Sequence, residues 1–253
     1  MPAIILLPFT FFIPPPVDPI YWLATLSGAS MVIAHDVSLF NVSAKYGAEV
    51  ALRLRPLILP IVFILWLLIR PEQITILLAN PLMAGAILAC IISATFFLTQ
   101  LRKCLISKAA FYEMIPVILT GIVFEIVNKT AMDHATFPEN SLYFVFTLSG
   151  APLLVSFLFA GKKAPAMLKD MASIPRHGLL LGTLVVFSMA MKNVAMIYTP
   201  NPAYVTAITL TAPFWISLYL KIRGEKEQAD WIAGTGLVIS IIIMTLLAAN
   251  LPR

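Results

Sequence analysis

Three clusters of polar side chains interrupt stretches that otherwise belong in oil: His35 with Asp36, Glu125 with Asn128 and Lys129, and Lys192 with Asn193. A charged group at the centre of a bilayer costs about 3 kcal/mol on insertion scales, so those that persist in apolar runs are candidates for a solute or ion pathway. The residue types divide the work. Lys192 would attract a carboxylate or phosphate, and Asn193, Glu125, Asn128, Lys129 and Tyr204 would complete a substrate-binding set. Asp36, His35 or Glu125 could carry a coupling proton. Each cluster also has a plainer reading. Glu125 and Lys129 stand at i and i+4 with the acid first, the favourable intrahelical order, and could be only a solvated pair at a helix mouth. His35 and Asp36 could clasp Arg53 and Arg55. Lys192 has no acid within one turn, with Ser188 and Met196 at four residues on either side, so its alternative is to snorkel toward an interface.

The elements that must carry these residues follow from composition. The chain has 253 residues, 60% of them hydrophobic and 11% charged, against roughly 25% charged in an average soluble domain. Such a chain cannot clothe a water-facing surface of ordinary size, whereas lipid-facing side chains should be apolar. A helix needs about 20 apolar residues to cross ~30 Å of hydrocarbon. Eight stretches qualify: 20–40, 49–69, 78–100, 108–130, 141–160, 178–198, 202–221 and 229–249. Their apolar positions are continuous, as in helices, and do not alternate as barrel strands do.

Charge orients the spans. Of 17 Lys and Arg, 13 lie in or beside the connections after the first, third, fifth and seventh spans; Arg70, Lys129, Lys192 and Arg253 are the remainder. By the positive-inside rule those connections are cytoplasmic and both termini face outward. Asp36 then falls near the cytoplasmic face, while Glu125, Lys129 and Lys192 fall toward the outer one, giving two polar levels. The basic residues mark topology, and no Arg-rich or aromatic-basic segment points to nucleic acid.

The first 19 residues read as an interfacial or re-entrant lead-in, since a dozen apolar residues are too few to span and Pro14, Pro15 and Pro16 stop any helix. Residues 20–249 read as one transmembrane domain, with a first half over about 20–105 and a second over about 106–249. Cys90 and Cys104 read as unpaired thiols, with no spacing for a metal. Pro60, Pro116 and Pro213 inside spans mark candidate kinks.

The segment "AMIYTPNPAYVTAITLTAPFWISLYLKIRGEKEQADWIAGTGLVISIIIM" is similar to the end of EamA-like domains of the drug/metabolite transporter superfamily. It has a small-residue start to the penultimate helix, a mid-helix Pro213, a Gly224–Glu225 turn, and a last helix opening on Trp231 with Gly234 and Gly236. Upstream, "FEIVNKTAMDHATFPENSLYFVFTLSGAPLLVSFLF" and "LFNVSAKYGAEVALRLRPLILPIVFILWLLI" resemble the first helix pairs of two such domains. The resemblance implies an all-α, polytopic bundle related to an inverted-repeat transporter fold, here with about eight spans where the family has ten. It also implies alternating access between related halves.

The expectation is a secondary transporter of a small polar or amphipathic metabolite in a bacterial inner membrane, open to proton coupling. No Walker motif is present, so ATP is not the direct energy source. No cofactor is expected; the partners are the solute, the lipid bilayer and, optionally, a second copy of the chain. The alternative is an assembly or lipid-flipping subunit without transport of its own. A membrane enzyme fits less well, since His35, His134 and His177 are scattered and no HExxH motif occurs.

Overall fold

A computed structural model describes residues 2–47, 50, 54–101, 107–161, 176–224 and 229–251. These residues form helices and connections, without strands. The helices are α1 (Pro2–Leu6), α2 (Pro19–Tyr46), α3 (Ile58–Ile69), α4 (Glu72–Ala79), α5 (Pro81–Gln100), α6 (Lys108–Asp133), α7 (Ser141–Ala160), α8 (Arg176–Tyr198), α9 (Pro202–Thr209), α10 (Ala212–Ile222) and α11 (Trp231–Ala249). Among the described residues, seven helical stretches are long and apolar enough to cross a membrane, and an eighth is added if a bent pair counts as one span.

Proline decides where several predicted spans begin, bend or break. A residue before Pro is biased away from the helical region, though Pro60 and Pro116 are carried inside α3 and α6. Arg70, before Pro71, has φ −121° and ψ 72°; Asn80, before Pro81, has φ −130° and ψ 68°. The predicted span 49–69 therefore stops at Ile69, and the segment Arg55–Ile69 meets α4 at a bend of 108°. The predicted span 78–100 starts at Pro81. The predicted span 202–221 divides into α9 and α10 just ahead of Pro213, whose missing N–H removes a helical hydrogen bond. Conversely, α2 runs to Tyr46, beyond the predicted limit at 40, so Asp36 lies ten residues short of the helix end.

The helices gather into two compact units that do not follow the order of the chain, each drawing on both the predicted first half and the predicted second half. The first comprises Met1–Ile33 and Val127–Tyr198. In it α1 packs on α7 and α8, with Leu6 buried against Val145 and Val186. The proline-rich lead-in cannot satisfy its own carbonyls in a helix, and side chains do so instead. Asn140 Nδ2 donates to Pro14 O at 3.0 Å and Trp22 Nε1 to Pro16 O at 2.8 Å. The Tyr143 hydroxyl lies 2.8 Å from Thr10 O and 2.7 Å from Ile13 O. The lead-in is thus docked on the helices.

The second unit comprises Ala34–Ile126 and Thr199–Arg253. Its core gathers Phe63, Ile87, Ile91, Met114, Tyr204 and Leu237. Here α5 and α11 lie side by side at glycine: a Cβ on Gly236 would stand 2.7 Å from the Phe97 ring, and one on Gly234 would stand 2.2 Å from the Phe214 ring. Asn201 caps α9 by accepting from Ala203 N at 3.0 Å, and Asp230 caps α11 by accepting from Ile232 N and Ala233 N at 3.1 Å.

Candidate functional site

The polar residues of the first unit collect where the last turns of α6 meet α8. Asn128 Nδ2 donates to Asn193 Oδ1 at 3.1 Å, and each residue is 1% exposed. One position further along α6, the Lys129 ammonium donates to the Met196 carbonyl at 2.7 Å and is ion-paired with Asp133. The cause lies in how helices end. Met196 belongs to the last turn of α8, whose carbonyls lack intrahelical donors, and Lys129 belongs to the last turns of α6. Both helix ends carry negative partial charge, so one cation serves two termini.

These contacts sort the predicted site residues. Asn128, Lys129 and Asn193 come together, and Lys192 sits half-buried beside Asn193 on α8. Lys129 is ion-paired with Asp133, four residues after it, and donates to the Met196 carbonyl. The Lys129–Asp133 spacing was open to view in the sequence. The Met196 carbonyl, 67 residues away, carried no signal there.

Glu125 is buried in the second unit, and Tyr204 belongs to its core. The Tyr204 ring stands 6.1 Å from that of Phe63 and borders a cavity of ≈ 20 Å³ with Gln73, Leu77, Pro200 and Leu251, about the space of one water. His35 Nδ1 is 3.1 Å from the Val117 carbonyl and 3.3 Å from Thr120 Oγ1, joining α2 to α6. Gly121 on α6 makes room for Ile58, whose Cδ1 a Cβ there would meet at 2.7 Å; against the His35 ring, at 3.5 Å, the same Cβ would be in ordinary contact. Asp36 is exposed and takes part in none of the ion pairs formed among the described residues; Arg53, one of its two expected partners, lies outside them. The other, Arg55, is exposed and likewise makes none of those pairs.

A further polar contact had no sequence signal, its residues standing 116 apart. His134 Nδ1 bonds Asp18 Oδ2 at 2.8 Å, just past the end of α6. Asp18 Oδ1 also accepts from Ile20 N at 2.8 Å, at the start of α2. The hydrogen bond from His134, helped by that backbone N–H, holds the Asp18 carboxyl below its usual range.

The seam between α6 and α8 offers buried neutral amides beside an internally engaged cation, an arrangement suited to holding a polar solute away from water. Comparison with protein-family models, curated proteins and solved structures finds no match.

Proposed function

We propose that the chain is an integral membrane protein of the bacterial inner membrane and acts as a secondary transporter for a small polar or amphipathic metabolite. The observation that carries this reading is the Asn128–Asn193 seam: two amides, each 1% exposed, placed on helices otherwise apolar enough to cross a membrane. Burying polar side chains in such helices is costly, and a solute pathway is a reason to keep them. The resemblance of residues 195–244 to EamA-like domains supports the class, and it implies alternating access without direct use of ATP.

The test is reconstitution. Purified protein in liposomes, given a panel of labelled metabolites with and without an imposed pH gradient, should accumulate at least one above protein-free vesicles. Vesicles that accumulate and exchange nothing across the panel would overturn the reading in favour of an assembly or lipid-flipping subunit.

A further inference from the structure

The two amides at the seam use only part of their hydrogen-bonding capacity. Asn128 Nδ2 and Asn193 Oδ1 bond each other, while Asn128 Oδ1 and Asn193 Nδ2 are buried and meet no partner among the described residues. Exchanging O and N on both amides returns the same balance, one unmet acceptor and one unmet donor on facing helices. Each such group left unmade costs about 1–3 kcal/mol. The Lys129 ammonium, next along the chain from Asn128, is directed to Asp133 and the Met196 carbonyl.

We infer that Asn128 and Asn193 form a recognition subsite for an uncharged group that carries a hydrogen-bond donor beside an acceptor, namely a carboxamide or lactam. Such a group donates its N–H to Asn128 Oδ1 and accepts from Asn193 Nδ2. A carboxylate satisfies only Asn193 and faces the Asn128 oxygen with a second acceptor; an ammonium has the opposite mismatch. Both amides are shut away from solvent, so a ligand reaches them only when α6 and α8 part locally. The opening breaks the amide–amide bond only while the ligand enters; once that bond re-forms, the two groups it leaves unmet gain a partner each. The inference rests on the transporter reading and gives its solute a chemical class.

Binding is tested apart from transport, on the full chain purified in detergent. The probes are pyrrolidinone and nicotinamide, each set against its N-methylated form (N-methylpyrrolidinone and N,N-dimethylnicotinamide), which keeps the acceptor and removes the donor. Thermal unfolding should shift with an unmethylated probe, and methylation should weaken its apparent affinity about tenfold, the loss of one hydrogen bond. An Asn128→Leu, Asn193→Leu double variant removes both partners together and should fold, because neither amide is left facing an unmet group. It should lose the shift. A wild-type chain that ignores both amides, or responds equally to their methylated forms, overturns the subsite. So does a double variant that keeps the response. Failure of the uptake experiment with binding intact would instead remove transport and leave the subsite standing.

Discussion

At the scale of single residues, the two buried-span lysines separate by role. Lys129 closes the ends of two helices through Met196 O and Asp133, with its side chain 4% exposed. Lys192 is half-buried and stands next to the amide seam. Lys129→Met should therefore lower stability, by about 3 kcal/mol for loss of a buried, hydrogen-bonded cation. Lys192→Met should lose uptake of an anionic or zwitterionic solute. Thermal unfolding of Lys129→Met beside wild type, with uptake by both variants in liposomes, checks the division; an unchanged melting temperature for Lys129→Met would return Lys129 to the solute site.

The Asp18–His134 contact adds a pH dependence whose sign follows from Asp18. Its carboxyl is held below its usual value in the folded chain, so the unfolded chain binds more protons around pH ~4. The contribution is present above the ordinary carboxyl range and is lost as pH falls through the lowered folded value. Wild type should melt higher than Asp18→Asn at neutral pH, and the gap should close below about pH 4. A gap constant down to pH ~3 would show that the charge of Asp18 contributes nothing.

At the scale of elements, the helices were legible in the sequence because their signal is local. Continuous apolar runs predict 141–160, and α7 occupies Ser141–Ala160; they predict 178–198, and α8 ends at Tyr198. The X-Pro steps at Arg70 and Asn80 were equally local, yet hydropathy alone gives no bend of 108°. What the sequence could not supply was pairing across long separations. Asn128 and Asn193 were both candidates for a solute site, but their bond spans 65 positions and no periodicity predicts it. Lys45 and Tyr46 on Glu113, which join the end of α2 to α6, span 68 and 67. The glycines of α11 join the two kinds of signal. They were seen as a spacing, and their reason is the ring each one faces. Gly234→Ala should cost about 1–3 kcal/mol by overpacking against Phe214, and adding Phe214→Leu should recover part of it, since the two sites couple through one contact. Additive losses in a double-mutant cycle of unfolding temperatures would mean that α10 yields to the methyl group without strain.

At the scale of the whole molecule, the bent pair α3–α4 decides the number of crossings. Arg55–Ile69 is 15 residues, or about 22 Å of helix, and α4 is 8 residues, so neither alone has the length of an ordinary span. If the pair turns back inside the membrane, the chain crosses seven times and the alternation of basic connections is lost. The residues at the bend favour a crossing. Arg70 stands 3.7 Å from Glu72 and has its guanidinium 5.9 Å from the Trp66 ring, with side chains 42% and 60% exposed for Arg70 and Glu72. An exposed ion pair with a tryptophan beside it is the chemistry of a membrane–water interface and is expensive at a bilayer centre. On the membrane reading, with the orientation drawn from charge, the expected outcome is a bend at the outer surface: Arg55–Ile69 crosses as a short span, and α4 lies along the interface before α5 returns. With Cys90 and Cys104 replaced by serine, single cysteines at Gly47 and Gln73 should then react with a membrane-impermeant maleimide from opposite sides of the cell membrane. Gln73→Cys should label in intact cells, and Gly47→Cys only after permeabilisation. A cysteine at Gly224 should share the side of Gly47, because the connection before α11 is the last basic one. Labelling of positions 47 and 73 from the same side would make the pair re-entrant, reduce the crossings to seven and undo the orientation drawn from charge.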